Sequence, residues 1–240
     1  MFTAIAPRYD LLNHLLSFNI DKLWWRRTAR SFSEILARPD ARVLDLCCGT
    51  GDMTLALARE AKRCGGKPSV LGADFSHAML TRAQQKFAVD DRSLGAFAAG
   101  GFAAGKRAGA IEADALALPF ASGSFDLVTS AFGFRNLANY DAGLAEIFRV
   151  LRAGGEAGIL DFGEPRGMIG SVYRMYFRHV LPAVGTVISG VRGPYAYLPA
   201  SVERFPAPQQ MLARMRAAGF SSVSWTPYTF GIAGLYRGKK

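Results

Sequence analysis

Residues 42–52 constrain the fold of this chain more than any other segment. They begin as a short apolar run of strand type, turn at Gly49 and Gly51, and lead into a helical pattern over residues 52–62. A strand, a glycine turn and a helix N-terminus together form a nucleotide cradle, because glycine lets a ligand approach the backbone and the first amides of a helix have no partner within it. The segment therefore predicts an α/β domain that binds a nucleotide at this turn.

Two residues indicate which kind of nucleotide the turn favours. Thr54 stands where the dinucleotide fingerprint has its third glycine, which disfavours a pyrophosphate. Asp45 lies inside the strand just before the turn, and a carboxylate there suits a ligand with positive charge near its amino-acid end. S-adenosylmethionine is such a ligand. A nicotinamide-dependent oxidoreductase on the same kind of sheet is the alternative that these two residues disfavour.

Strands and helices alternate along most of the chain. The patterns predict strands at 42–46, 69–74, 110–114, 125–131 and 156–162, and helices at 52–62, 76–87 and 138–151. A helix at 208–218 precedes two further strands, 222–227 and 228–236, which are close enough in sequence to pair antiparallel. The alternation predicts an α/β fold with a doubly wound, mostly parallel seven-stranded sheet.

We expect a single domain over residues 1–240, because a chain of this length is short for two domains. Its expected parts are a helical N-terminal cap (1–38), a cofactor-binding half (39–165), a helical insertion on the substrate side after strand five (166–205), and a C-terminal helix with the strand pair (206–240). Whether the cap packs against the core or forms a lid over the site is left open. Residues 90–109, rich in Gly and Ala, are expected to form a loop.

Three acids fall at or near the ends of predicted strands, where ligands bind in a doubly wound sheet. Asp74 lies about 20 residues after Gly51, the spacing at which such folds place a carboxylate on ribose hydroxyls. Asp114 is placed to reach the exocyclic amine of an adenine. The predicted cofactor-binding residues are Asp45, Gly49, Thr50, Gly51, Asp74, Phe75, Asp114, Ala115 and Ser130.

Charge and cysteine content limit the partners. The net charge is +10, but no lysine-arginine run is dense enough to favour nucleic acid, so contact with an anionic membrane surface is left open instead. The three cysteines, Cys47, Cys48 and Cys64, have neither a disulfide framework nor a metal-ligand spacing, so no metal is expected and a reduced compartment is favoured.

No signal pattern precedes the first helix, and no stretch is apolar for long enough to span a bilayer. We therefore expect a cytoplasmic protein, with peripheral attachment to the inner membrane face left open. A homodimer is also left open.

Several segments resemble one enzyme family. Residues 43–51 resemble motif I of the class I S-adenosylmethionine-dependent methyltransferases, which have a Rossmann-like fold. Residues 9–13 with Ser17 and Trp24 resemble the N-terminal signature of the UbiE/MenG family, the C-methyltransferases of ubiquinone and menaquinone biosynthesis. Residues 132–136, Phe-Gly-Phe-Arg-Asn, are similar to that family's Phe-Gly-Leu-Arg-Asn segment, and residues 195–198 and 231–238 also look like it.

The resemblance implies methyl transfer from S-adenosylmethionine, leaving S-adenosylhomocysteine, to a ring carbon of a reduced polyprenyl quinol. Whether the ring is a naphthoquinol (demethylmenaquinol) or a benzoquinol is left open. Tyr9, Asn13, Arg135 and Asn136 are the predicted substrate-binding residues. Arg135 would stabilise a phenolate, directly or through water, and Asp161 and Tyr195 are the other catalytic candidates. Another small hydrophobic acceptor and a non-catalytic quinone-binding protein are the alternatives.

Overall fold

The computed structural model describes residues 19–94, 108–163, 165, 175 and 194–240, and of residues 90–94, 108 and 194–198 it describes the backbone alone. The helices are α1 (Ile20–Arg30), α2 (Ser33–Leu36), α3 (Asp52–Arg63), α4 (His77–Leu94), α5 (Tyr140–Val150), α6 (Pro194–Arg204) and α7 (Pro208–Ala217). The strands are β1 (Arg42–Leu46), β2 (Ser69–Asp74), β3 (Ala108–Glu112), β4 (Phe125–Ala131), β5 (Leu151–Phe162), β6 (Ser221–Tyr228) and β7 (Ala233–Lys239).

All seven strands form one sheet in the order β3-β2-β1-β4-β5-β7-β6. Strands β1 to β5 pair in parallel, and β7 runs antiparallel to both of its neighbours, β5 and β6. The predicted seven-stranded, mostly parallel sheet is confirmed, as is the antiparallel pairing of the last two strands. Strand order reverses between β1 and β4, which is where a doubly wound sheet opens a ligand crevice.

Helices cover both faces of this sheet because its central strands are apolar on both sides. Along β1, Leu44 and Leu46 belong to one buried cluster, which α5 and α7 complete. Val43, which precedes them, belongs to a second cluster on the opposite face, completed by α1, α2 and α3. The alternation of side chains along one strand thus supplies a hydrophobic core on each face of the sheet. The carboxyl ends of the parallel strands lie at the edge of the sheet between these two cores.

Several element boundaries differ from the predicted ones. Helix α4 continues to Leu94, into the predicted loop, because no glycine or proline interrupts it before Gly95. Strand β3 begins and ends two residues earlier than expected, since its register against β2 pairs Val70 with Ala108 and Asp74 with Glu112. Strand β5 begins at Leu151, five residues earlier than expected, and an irregularity in its pairing with β4 accommodates residues 152–155.

The C-terminal strands are separated by a tight turn, Thr229–Gly231, that the apolar pattern did not predict. All three residues have positive φ, at 45° for Thr229, 58° for Phe230 and 90° for Gly231. Residues 1–18 of the expected helical N-terminal cap and most of the expected insertion lie outside the described residues. Within the part of the chain that is described, no helix is long and apolar enough to cross a bilayer.

Candidate active site

The glycine turn after β1 leaves open space above its backbone. Gly49 and Gly51 both adopt left-handed conformations, with φ of 54° and 86°. A Cβ built on Gly51 would lie 2.5 Å from the Phe87 ring of α4, whereas a Cβ on Gly49 would meet no atom within 4 Å. Gly51 is therefore required by packing, and Gly49 faces a space in which a ligand can approach the backbone.

Asp45 lies beneath this turn and not on its surface. The side chain is completely buried. The Thr54 hydroxyl donates a hydrogen bond of 2.6 Å to one carboxylate oxygen, and the Thr129 hydroxyl of β4 donates one of 2.9 Å to the other. Burial raises the pKa of Asp45 to about 7, although the two hydroxyls oppose the shift. Thr54, which replaces the third glycine of a dinucleotide site, thus serves to hold Asp45.

Asp74 and Phe75 stand at the end of β2, beside the turn. The Gly49 amide donates to one oxygen of Asp74 and the Ser76 amide to the other, both at 2.9 Å. Burial raises the pKa of Asp74, and these amides oppose the rise. The Phe75 ring is 65% exposed. Because each carboxylate oxygen can accept a second hydrogen bond, Asp74 is able to bind a diol, and the exposed ring of Phe75 can cover an adenine.

The other predicted cofactor residues lie around the same edge of the sheet. Asp114 is exposed just after β3 and accepts a hydrogen bond of 2.9 Å from the Leu116 amide, while Ala115 is buried. The Thr50 hydroxyl is held by the Lys86 ammonium of α4 at 2.9 Å. The Ser130 hydroxyl is buried beside the Cys47 thiol and makes no hydrogen bond to a nitrogen or oxygen atom of the described residues, so it is a group that a ligand could satisfy.

Arg135 and Asp161 form a buried ion pair where β4 and β5 end. Asp161 is fully buried and Arg135 is 7% exposed. The Arg135 amide and its Nη1 each donate to a different oxygen of Asp161, both at 3.0 Å, and Nε donates to Ser201 of α6 at 3.3 Å. Burial raises the pKa of Asp161, and the guanidinium opposes the rise. The two residues thus form one buried unit.

Three aromatic side chains surround this ion pair, and we call them the aromatic cluster: Trp24, Phe132 and Phe162. The ring centroids of Phe132 and Phe162 are 4.6 Å apart, and Trp24 lies 5.8 Å and 6.2 Å from them. The Arg135 guanidinium lies 5.1 Å from the Phe162 ring. Phe132 and Phe162 are partly exposed. The cluster therefore offers aromatic surface beside a cation.

The aromatic cluster adjoins the glycine turn through Gly133. A Cβ on Gly133 would collide with Cys47, so the backbone that follows Phe132 rests directly on the turn. The sequence prediction did not include Phe132 and Phe162 among the site residues. A usable signal was present, since an aromatic residue lies at the end of each of two neighbouring parallel strands.

The structure describes only some of the remaining predicted site residues. Asn136 follows Arg135 in a short 3₁₀ turn, Phe134–Asn136, and is partly buried. The backbone of Tyr195 belongs to α6, the helix whose Ser201 contacts Arg135. Tyr9 and Asn13 lie outside the described residues. The described residues contain no cluster of three or more histidine, cysteine or acidic side chains that could hold a metal.

A known protein family matches the whole chain. A family model described as the ubiE/COQ5 methyltransferase family matches residues 1–240. The demethylmenaquinone methyltransferase of Thermus thermophilus is 48% identical over 241 residues, covering 100% of both chains. That of Deinococcus radiodurans is 44% identical over 241 residues, covering 100% of this chain and 91% of the relative. The ubiquinone/menaquinone biosynthesis C-methyltransferase UbiE of Geobacter sulfurreducens is 41% identical over 243 residues, covering 100% and 87%.

Solved structures resemble the fold at low identity. A SAM-dependent methyltransferase from Thermotoga maritima has a TM-score of 0.64 at 17% identity, covering 100% of this chain and 97% of that chain. An S-adenosyl-L-methionine-dependent methyltransferase from Methanococcus maripaludis has a TM-score of 0.63 at 19% identity, covering 100% and 94%. These similarities confirm the predicted Rossmann-like sheet of the class I methyltransferases.

Proposed function

The chain belongs to the ubiE/COQ5 methyltransferase family and is an S-adenosylmethionine-dependent methyltransferase, and we propose on this basis that it methylates a ring carbon of a reduced polyprenyl quinol. The observation that carries the proposal beyond the family is the aromatic cluster beside the Arg135–Asp161 pair, next to the glycine turn. A flat phenolic ring needs aromatic surface and a positive group near its oxygen, and both are present there.

The described residues fit the cofactor. Gly49 leaves space for it, Asp74 is placed to accept hydrogen bonds from the ribose diol, and Phe75 is exposed beside Asp74. We assign the unsatisfied Ser130 hydroxyl and Asp114 to the same ligand. When bound, S-adenosylmethionine supplies a methyl group on a positively charged sulfur atom. Asp45 is buried beneath the turn, so in this proposal it supports the turn through Thr54 and Thr129 and does not contact the cofactor.

Arg135 is assigned to the phenolic oxygen of the acceptor. A free phenol has a pKa of about 10, and its ring carbon becomes nucleophilic when the hydroxyl loses its proton. A guanidinium in a buried site stabilises the phenolate more strongly than it would in water. Asp161 fixes the orientation of the guanidinium through the backbone amide and Nη1. Asp161 is thus a positioning residue in this proposal, since Arg135 and the Phe162 amide occupy its oxygens.

We propose demethylmenaquinol as the acceptor, because two relatives that share 48% and 44% of their residues with this chain are named demethylmenaquinone methyltransferase. A benzoquinol is the competing acceptor, since another relative carries the combined ubiquinone and menaquinone name. A homodimer and a cytoplasmic location stay predictions.

The proposal predicts methylation of demethylmenaquinol by the purified protein. A short-chain demethylmenaquinol kept reduced, together with methyl-labelled S-adenosylmethionine, is expected to yield ring-labelled menaquinol by liquid chromatography and mass spectrometry. In the Arg135→Lys variant we expect turnover to fall about 100-fold. Lysine keeps the positive charge, but its ammonium group cannot donate hydrogen bonds in the fixed planar geometry of a guanidinium. Binding of S-adenosylhomocysteine should be unchanged.

Arg63→Lys is the matched control, since Arg63 also makes two hydrogen bonds to one carboxylate, that of Glu60, but at the end of α3 far from the glycine turn. It should keep wild-type turnover. A wild-type protein that leaves both the naphthoquinol and the benzoquinol unmethylated would refute the proposed function. Unchanged turnover in Arg135→Lys would refute the role of Arg135 alone.

A further inference from the structure

Helix α1 carries a basic and apolar face away from the core. Trp24 and Thr28 are buried, whereas Leu23 is 57% exposed on the opposite side. Arg26, Arg27 and Arg30 follow Leu23 at three, four and seven positions and are exposed too, so they lie on the same face of the helix. An exposed leucine with arginines along the same helix face is a typical feature of helices that lie on lipid surfaces.

A second exposed apolar side chain lies beside this helix. Phe230, in the turn between β6 and β7, is 77% exposed. It has a φ of 58° and follows Thr229, whose φ is 45°. Two consecutive non-glycine residues in this region are unusual, and a bulky aromatic residue is a clear outlier. Such outliers occur where the surrounding structure enforces them for a function.

Direct contacts join the turn to α1. The Trp24 indole nitrogen donates a hydrogen bond of 2.8 Å to the Thr229 hydroxyl. The Arg27 guanidinium lies 4.2 Å from the centroid of the Tyr228 ring. The turn that carries Phe230 therefore packs against α1 beside Arg27, which follows Leu23 by about one helical turn. We call Leu23, Arg26, Arg27, Arg30 and Phe230 the docking surface.

The docking surface borders the proposed acceptor site. Trp24, which binds the turn, is also a member of the aromatic cluster with Phe132 and Phe162. Trp24 thus joins the turn that carries Phe230 to the acceptor site.

The docking surface carries three positive charges, those of Arg26, Arg27 and Arg30. Asp21, the acid within α1, is buried, and Glu34 lies on the next helix. Of the residues that the structure describes, no carboxylate forms a salt bridge with Arg26, Arg27 or Arg30. The whole chain carries a net charge of +10. An anionic bilayer matches this surface, because it offers phosphates to the arginines and hydrocarbon to Leu23 and Phe230.

We propose that the docking surface binds anionic lipid bilayers peripherally, with Leu23 and Phe230 in the interface and the arginines at the phosphates. The acceptor site then opens toward the membrane that holds a polyprenyl tail. The delivery of a polyprenyl substrate to the site rests on the proposed function, whereas the binding of the docking surface to a bilayer does not. Nucleic acid would match the arginines but leave the two exposed apolar side chains unused.

Vesicle sedimentation tests the docking surface. The full chain should bind vesicles of phosphatidylcholine with phosphatidylglycerol, and bind phosphatidylcholine alone weakly. Arg26→Glu with Arg30→Glu should lower the partition coefficient at least about tenfold. Phe230→Asn should lower it roughly fivefold, since the ring is lost while asparagine tolerates the left-handed backbone.

Two control variants make comparable changes of charge and of hydrophobicity outside the docking surface. Lys67→Glu with Arg216→Glu changes the net charge equally at exposed residues on other elements, and Val89→Asn removes a side chain on α4 that is 74% exposed. Both should bind vesicles like the wild type. An equal loss in these controls would overturn the proposal, as would wild-type protein that ignores anionic lipid. Loss of a dimer in the Phe230 variant with vesicle binding intact would instead assign the surface to a second copy.

Turnover of a short-chain, detergent-dispersed quinol separates this proposal from the proposed function. The docking variants should retain that turnover, because none of the changed residues touches the acceptor site. Vesicle binding as expected with no quinol methylation would leave the docking surface standing and remove the proposed function.

Discussion

The central residue of the site is Asp45, and its surroundings explain why the turn differs from a dinucleotide cradle. Thr54 and Thr129 donate to its two oxygens, one from the helix after the turn and one from β4. A third glycine at position 54 would leave one of these oxygens without its partner. An unsatisfied buried acceptor costs about 1–3 kcal/mol, so threonine at this position stabilises the buried acid.

The buried carboxyl group predicts a pH dependence of stability. Asp45 has a pKa of about 7 in the folded chain, whereas an unfolded aspartate titrates near about 3.9. Between these values the folded state holds a proton that the unfolded state has lost. The free energy of unfolding should therefore fall as pH rises from about 4 to about 7, by roughly 4 kcal/mol from this group.

Thermal unfolding of the cofactor-free protein between pH 5 and pH 8 measures this effect. Asp45→Asn should show a clearly smaller decline than the wild type, because the amide cannot ionise. Thr54→Val should extend the decline to higher pH, since losing a donor to the carboxylate raises the folded-state pKa of Asp45 further while its unfolded pKa is unchanged. Parallel curves for the wild type and Asp45→Asn would contradict the assignment.

At the scale of elements, the glycine turn performs two separate tasks. Gly51 allows α4 to pack against the turn through Phe87, and Gly49 keeps the space above the turn open. Both residues have positive φ, so the pattern of glycines alone could not separate packing from binding. Gly154 offers a reference, since its φ is 77° and a Cβ there would meet no atom within 4 Å.

Alanine at the three positions should therefore have three different effects. Gly154→Ala should cost about 1–2 kcal/mol of stability from the left-handed backbone alone. Gly49→Ala should cost a similar amount but weaken S-adenosylhomocysteine binding at least about tenfold, because the methyl group enters the ligand space. Gly51→Ala should cost more than either, since its Cβ collides with Phe87.

Chemical denaturation and calorimetric titration measure these two quantities. The glycine assignments are contradicted if Gly51→Ala is no less stable than Gly154→Ala. They also fail if Gly49→Ala binds S-adenosylhomocysteine like the wild type.

At the scale of the whole molecule, the sheet brings distant segments to one edge. Asp45, Asp74 and Ser130 reach that edge on β1, β2 and β4, and Arg135 with Asp161 reaches it beyond β4 and on β5. A ligand that contacts several of these elements should stabilise the fold as a unit, because it binds only when the strand ends are in register.

We expect saturating S-adenosylhomocysteine to raise the melting temperature by roughly 5–10 °C, the shift given by a ligand at about 100 times its dissociation constant in a domain of this size. NADH should leave the melting temperature unchanged. Phe75→Ala should reduce the shift without lowering the melting temperature of the free protein, since the ring is 65% exposed. An equal shift with NADH would contradict the cofactor site.

Much of the fold was predictable because its signals are local. The bounds of β2 and β4 agree with their apolar runs, and α3 begins at Asp52 as the glycine turn indicates. The boundaries that differ depend on distant partners. Strand β3 takes its ends from its register against β2, and β5 lengthens because the pairing with β4 absorbs an irregularity. Such pairing energies cannot be obtained from a single segment.

The sequence by itself determined the order of strands and helices, the glycine turn and the acids that follow the strands, because backbone geometry and hydrophobic periodicity act over a few residues. Only the tertiary structure decided that Asp45 lies beneath the turn, held by Thr54 and Thr129, and that Arg135 pairs with Asp161. It also brought Trp24 against Phe132 and Phe162. Burial and ion pairing depend on which distant segments come into contact, and the packing of the sheet and its helices determines those contacts.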